Sequence, residues 1–328
     1  MDFQSYFDQF NSKRILVIGD VMIDAYIRGK VSRMSPEAPV PIVSLDQRED
    51  RLGGAGNVAL NLAALGASPI LCSVVGNDQQ ADLLRRLLKE NSISGEGIVE
   101  SNARKTTVKT RVIGNNQQLL RVDSEQTDPI TADEENELIN TAATLIETGV
   151  DAVIFEDYNK GVLTPRVIEA IVSIANQHKV ITAVDPKKDN FFAYRNVTLF
   201  KPNLKELKEG LGVDFDIKTD KTAFESTVSQ LETKLENSIS FVTLSENGVF
   251  ICDRSTKQYV PAHVRNIADV SGAGDTVISV ATLCLLVGMP IKLIAEVANL
   301  SGGLVCEVSG VVPINKEQLL KEAIKLIV

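Results

Sequence analysis

The sequence predicts an α/β fold: a mostly parallel sheet with helices on both faces, plus a small antiparallel β lid. Three observations carry this. Strand-like and helix-like segments alternate along most of the chain. The first strand-like run, residues 14–22 (RILVIGDVM), is apolar enough to be buried. Two β-rich stretches, 40–46 and 105–123, are instead short, polar and alternating, as in Thr107-Val108-Lys109-Thr110-Arg111-Val112, which does not suit central parallel strands.

The elements follow in order. Helix is expected over 57–65 and strand over 69–75. A helix over 78–90 carries Leu83, Leu84, Leu87 and Leu88 on one stripe. Strand 151–156, helix 165–178 and strands 180–184, 197–200 and 241–244 come next, with a short helix over 204–210 between the last two. The final third reads as helices over 275–288, 291–306 and 315–327. No internal repeat, low-complexity tract or linker interrupts this, so one domain over 1–328 is expected, with the lid as its appendage. A lid of this kind can cover a cleft, and its exposed edges can pair with a second subunit.

Composition excludes some classes. The chain has 328 residues, 44% apolar and 23% charged, with a net charge of −9. That suits a globular protein with a sizeable core and argues against a general nucleic-acid binder. The N-terminus has neither a basic start nor an apolar run, so no signal peptide is expected. The longest uncharged run, 276–291, is shorter than the ~20 residues of a membrane span and ends near Pro290. Cys72, Cys252, Cys284 and Cys306 are scattered among apolar neighbours and read as reduced core residues of a cytoplasmic protein. His178 and His263 show no metal-ligand spacing.

The chemistry concentrates in Asp269-Val270-Ser271-Gly272-Ala273-Gly274-Asp275, which runs directly into an apolar helix. Glycines let the backbone approach a ligand, and the free N–H groups of a helix start bind anions. Asp275 at the lip of such a site would repel a phosphate, so it reads better as a base for a hydroxyl attacking that phosphate. The plainer reading is an acidic cap on a loop. A second cluster is Gly53-Gly54-Ala55-Gly56-Asn57-Val58-Ala59. Residues 54–59 fit G-x-G-x-x-A, but residues 47–51 before them are not the buried strand that a dinucleotide site requires. A glycine turn that brings Asn57 to sugar hydroxyls is the alternative.

With both clusters in this order and spacing, the chain resembles the PfkB, or ribokinase-like, sugar kinases over nearly its whole length. Within that family, Gly19-Asp20-Val21-Met22-Ile23-Asp24 and Ser32-Arg33-Met34-Ser35-Pro36-Glu37-Ala38-Pro39 resemble the heptose 7-phosphate kinase branch. So do Asn116-Gln117-Gln118-Leu119-Leu120-Arg121 and Asp157-Tyr158-Asn159-Lys160-Gly161.

The resemblance implies a kinase using ATP and Mg²⁺, and it admits a monovalent cation as a further cofactor. Asp275 would be the base, with Gly272, Ala273 and Gly274 as the anion hole. Asp24, at the end of the first strand, would hold sugar hydroxyls together with Gly53, Gly54 and Asn57; Asp20 would support the turn. Asn203 and Glu206 match the family's N-x-x-E element, Glu206 acting on Mg²⁺ through water, although the same spacing makes a helix capping box. Thr243, Ser245 and Asn299 would line the nucleotide site. Arg33, Lys109, Arg111, Lys160 and Lys187 are candidates for a phosphate at the far end of the sugar. The expected reaction converts D-glycero-D-manno-heptose 7-phosphate to the 1,7-bisphosphate, in lipopolysaccharide precursor synthesis.

No H-x-G-H nucleotidyltransferase motif is present, so a stand-alone kinase is expected, with a homodimer through the lid. A ribokinase- or phosphofructokinase-type enzyme is the nearest alternative, and a dinucleotide-dependent oxidoreductase the remote one.

Overall fold

The computed structural model describes residues 2–263 and 265–327. Met1, Val264 and Val328, and with them the outer bounds of the domain expected over 1–328, lie outside the described residues.

In chain order the elements are α1 (Phe3–Asp8), β1 (Arg14–Gly19), β2 (Val21–Met34), β3 (Pro41–Gly54), α2 (Ala55–Ala64), β4 (Ser68–Gly76), α3 (Gln79–Glu90), β5 (Ser94–Ser101), β6 (Val108–Gly114) and β7 (Gln117–Ser124). There follow α4 (Ala132–Glu147), β8 (Ala152–Glu156), α5 (Pro165–Gln177), β9 (Ile181–Asp185), β10 (Leu199–Phe200), α6 (Leu204–Leu211), α7 (Lys221–Leu235), β11 (Ile239–Thr243), β12 (Val249–Cys252) and β13 (Lys257–Val260). The last are α8 (Ala273–Leu286), α9 (Ile291–Val305) and α10 (Lys316–Leu326).

Nine strands form one sheet in the order β13-β12-β11-β10-β9-β8-β1-β4-β5. It is parallel from β11 through β5, with β12 and β13 added antiparallel at one edge. Along β1, Ile15 and Val17 join the apolar layer of α2, α8 and α9, while Leu16 and Ile18 join that of α4, α5 and α7. The period-two alternation of one buried strand therefore feeds two cores, as a sheet covered on both faces requires.

From β1 the chain moves outward to β4 and β5, then returns to place β8 on the other side of β1. The order reverses at β1–β8. Ligands in open α/β sheets bind beyond the strand carboxyl ends at such a point. The residues there are Gly19, Glu156 and Asp185 at the ends of β1, β8 and β9, with Asp20 following β1 and Asp157 following β8.

The second sheet has four strands in the order β3-β2-β6-β7. Two of its pairings are antiparallel and β2–β6 is parallel. The strand expected over 14–22 is in fact two. Asp20 breaks it, donating its N–H to Glu156 O and accepting Ala55 N–H, and the chain leaves the main sheet as β2. Asp24 thus sits on the second sheet, not at the end of the first strand. β5, α4, α7 and the β12–β13 hairpin were not anticipated. All four cysteines are free and buried, and burial pushes the Cys72 thiol up to about 12. Among the described residues no helix is long and apolar enough to cross a membrane.

Candidate active site

Gly272 is the residue just before helix α8, and its φ of 79° is left-handed and favours glycine. A Cβ there would lie 2.9 Å from Asn57 Nδ2. No side chain caps this helix, and the N–H groups of Gly272, Gly274 and Asp275 find no acceptor among the described residues outside the helix itself. The expected start of the helix, 275, is two residues late. Donors without partners at a glycine turn are the elements of an anion site.

Asp275 stands in the first turn and is buried. Its Oδ2 accepts from Asn57 Nδ2 at 2.6 Å and its Oδ1 from the Tyr158 hydroxyl at 3.0 Å. Burial pushes its carboxyl up to about 6; the Asn57 and Tyr158 hydrogen bonds and Lys201 oppose that rise, while Asp185 adds to it. Asn57 is itself held. Asn61 Nδ2 donates to Asn57 O, and Asn61 Oδ1 accepts from Thr276 Oγ1 and from the backbone of Ile314. This chain of bonds fixes α2 to α8.

Tyr158 is set by Asp20. The Asp20 carboxylate accepts the N–H groups of Tyr158, Lys160 and Val162, so one buried acid grips the turn that carries the tyrosine. Burial raises the Asp20 carboxyl to about 6. Asp157 anchors the same turn from below through Asn159 N, Asn190 Nδ2 and the Tyr194 hydroxyl.

Glu156, Asp185 and Asp275 each bring a carboxylate oxygen within 4.8 Å of the others. Lys201, itself buried, binds Asp185 at 2.7 Å. Both Glu156 oxygens are buried and have no hydrogen-bond partner. Burial, then Asp185 and Asp275, holds the Glu156 carboxyl well above its ordinary range. An all-oxygen set with an unsatisfied carboxylate fits a hard divalent cation. Sequence reasoning missed Glu156, Asp185 and Lys201 as site residues. The available signal was a charged residue at the end of each apolar strand, Val-Ile-Phe-Glu and Thr-Ala-Val-Asp.

On the second sheet Asp24 lies against Gly53, where a Cβ would fall 2.3 Å from Asp24 Oδ2. Gly53 therefore has to be glycine for Asp24 to stand there. Gly54 ends β3 and caps α2, which carries Asn57. The stretch 47–51 is a half-exposed strand of the small sheet, antiparallel to β2, and not the buried parallel strand of a dinucleotide fold.

The basic candidates separate. Arg111 binds Asp24 at 2.5 Å and stacks over Tyr26. Lys109 and Lys160 both face Glu125. Lys187 binds Glu206 at 2.6 Å, on the nucleotide-side candidates. Arg33 is exposed near the far end of β2, about 30 Å from Asp24 at ~3.3 Å per residue, and the structure does not bring it to the site.

Asn203 and Glu206 form a reciprocal capping box at α6. The remaining Glu206 oxygen is taken by Lys187, so the unpartnered carboxylate of this region is Glu156 and not Glu206. Thr243 bridges Asn203 from the end of β11, placing the two together. Ser245 begins the turn after it, beside an open groove that Leu204, Lys205 and Lys208 line. Asn299 on α9 donates to Pro261 O, which ties it to the segment preceding the glycine turn.

Comparison with known proteins agrees with this architecture. The model of the pfkB family of carbohydrate kinases matches residues 12–318. The chain is 38% identical over 320 residues to the bifunctional protein HldE of Citrifermentans bemidjiense, covering 97% of this chain and 65% of that protein. It is 39% identical over 293 residues to HldE of Helicobacter pylori, covering 89% and 63%. The chain thus spans just under two thirds of the length of these curated relatives. Escherichia coli phosphofructokinase-2 in complex with substrates and products superposes with a TM-score of 0.77 at 16% identity, over 94% of this chain and 99% of that one. Arabidopsis thaliana ribokinase complexed with ribose and ATP gives 0.70 at 15%, over 94% and 99%. At those identities the likeness shows the fold.

Proposed function

This chain belongs to the pfkB family of carbohydrate kinases, and from that premise we propose that it phosphorylates the anomeric hydroxyl of D-glycero-D-manno-heptose 7-phosphate with ATP. The product is the 1,7-bisphosphate, a precursor on the way to lipopolysaccharide heptose. The HldE-named relatives support the choice of sugar. The observation that carries the chemistry is Asp275, a buried carboxyl raised to about 6 in the first turn of a helix with unpartnered N–H groups.

Asp275 takes the proton from the sugar O1–H. The oxygen attacks the γ-phosphorus, and the bond between that phosphorus and the β,γ-bridging oxygen breaks to release ADP. A base with a pKa near the working pH is best matched to this transfer. The N–H groups at Gly272 and Gly274 would face the charge that develops on the phosphoryl oxygens; Ala273, expected as a third donor, instead gives its N–H to Val270 O. Glu156 and Asp185 would hold Mg²⁺, which when bound neutralises phosphate charge. Lys201 holds Asp185 in place. Positioning and electrostatics supply most of the rate in such a transfer.

Asp24, Gly53, Gly54 and Asn57 are proposed to hold the sugar hydroxyls, with Arg111 fixing Asp24. Asn203, Glu206, Thr243, Ser245 and Asn299 are proposed to line the nucleotide site. The four-stranded sheet is read as a lid on one kinase domain and as the contact between two copies in the cytoplasm.

The test is coupled ADP release over a panel of sugars and sugar phosphates, with ³¹P NMR of the product. Highest kcat/KM for heptose 7-phosphate and a new anomeric phosphate support the reading. Preference for ribose or fructose 6-phosphate replaces it with another kinase of the family.

A further inference from the structure

We propose that Lys109 and Lys160 form the seat of the substrate's terminal phosphate, and that Glu125 occupies this seat when no sugar phosphate is bound. The kinase reading supplies the identity of the substrate; the seat follows from the side chains around Glu125.

Lys160 Nζ binds Glu125 Oε1 at 2.7 Å, and Lys109 Nζ stands 3.8 Å from Glu125 Oε2. The second distance is too long for a hydrogen bond, and Glu125 Oε2 is buried without a partner. Two ammonium groups therefore converge on one carboxylate that satisfies one of them. The excess positive charge is largely sheltered, since the three side chains are 15%, 16% and 21% exposed. A phosphate, with three oxygens and nearly two charges, complements two lysines better than a single carboxylate does.

The position is right for the far end of a sugar. Lys109 on β6 lies in register with Asp24 on β2, beside the proposed hydroxyl-binding residues. Lys160 shares the turn of Tyr158, whose hydroxyl touches Asp275, and its N–H is held by Asp20. Arg104 ties the two segments together by donating to Lys160 O, with a longer contact to Gln126 O beside Glu125. Glu125 itself directly follows β7, at the base of the second sheet.

The other basic candidates are committed elsewhere. Arg111 serves Asp24, Lys187 serves Glu206 and Asp185, and Arg33 is remote.

Binding in the absence of ATP separates this proposal from the reaction. Heptose 7-phosphate and unphosphorylated heptose are titrated calorimetrically into the wild type, Lys109→Gln, Lys160→Gln, Lys160→Arg and Glu125→Gln, with thermal melting as the folding control. Each Lys→Gln change is expected to weaken the phosphorylated sugar by about 10–100-fold, the range of a charge-assisted contact, and to leave the unphosphorylated sugar within ~3-fold. Lys160→Arg retains binding within a few-fold, which keeps the test open if Lys160→Gln does not fold. Glu125→Gln tightens the phosphorylated sugar, because the competing charge is gone. Equal losses for both sugars, or weaker phosphate binding in Glu125→Gln, would overturn the proposal and leave a structural ion cluster. A wild type that binds heptose 7-phosphate through these lysines but releases no ADP would instead defeat the kinase reading alone.

Discussion

Asn57 Nδ2 and Asp275 Oδ2 meet at 2.6 Å across 218 positions of sequence. The bond joins the early glycine cluster to the late one. It orients the carboxylate, and it also lowers the pKa that burial raises, which the base proposed for Asp275 requires near neutral pH.

Asp275→Asn should lower kcat by about 10²–10⁴-fold, the usual contribution of a general base. KM for ATP should change little. Stability should move the other way. The Asp275 carboxyl goes from 3.8 to about 6 on folding. Its favourable contribution is therefore complete below 3.8 and is lost as pH rises through about 6. At pH 8 the wild type carries a penalty of about 3 kcal/mol at most, from ~2 units at ~1.4 kcal/mol each. The variant should melt no lower than wild type at pH 8, and its relative advantage should shrink by pH 5. ADP release and melting at the two pH values measure this. A folded variant with near-normal kcat would remove the base from the mechanism.

Tyr158→Phe deletes the donor to Asp275 Oδ1. That bond favours the ionised carboxylate, so its loss raises the Asp275 pKa further. The acidic limb of kcat/KM should shift to higher pH by about one unit, with a larger rate loss at pH 6 than at pH 8. An unmoved limb with a uniform loss would mean that Tyr158 only packs against the site.

The sequence made the sheet and the two glycine clusters legible because both are local signals. Arg-Ile-Leu-Val-Ile-Gly shows its burial in six consecutive residues, and Gly272-Ala273-Gly274-Asp275 shows turn, helix start and acid together. What it concealed was long-range. Nothing between 14 and 22 says that Asp20 ends one sheet and that Val21 begins another; the break is made by Glu156 O and Ala55 N–H, far away in sequence. The meeting of Glu156, Asp185 and Asp275 is likewise a product of strand order, which places β8 beside β1 and β9 beside β8. Asn203 and Glu206 were legible in two ways, and the capping geometry is present in the structure.

Glu156→Gln should separate metal binding from folding. The wild-type carboxyl is buried without a partner and held well above its ordinary range, so it disfavours the fold once ionised and gains from a cation. Without Mg²⁺ the variant should melt higher than wild type at pH 8. The Mg²⁺ concentration for half-maximal ADP release should rise by about tenfold or more, and the wild-type thermal shift on adding Mg²⁺ together with ATP should shrink. An unchanged Mg²⁺ dependence would place the ion away from Glu156.

The second sheet ends in two open edges, β3 and β7. Every residue of β7 is exposed, including Leu119, Leu120 and Val122, and Met34, Val40 and Leu45 are also exposed at the far end of the same sheet. Unpaired edges with apolar side chains are a liability that natural sheets cover. The cover proposed here is a second copy of the same sheet, which would make the lid and the interface one structure. Sedimentation at micromolar concentration should give a dimer. Leu120→Glu combined with Val122→Glu should shift it to monomer while the main sheet keeps its melting temperature within a few degrees, because neither side chain enters the core. Activity should fall with dimer content, since β6, paired to β7, carries Lys109 and Arg111. A wild type that sediments as a monomer, or a double variant that remains dimeric, would detach the second sheet from assembly and leave it as a lid alone.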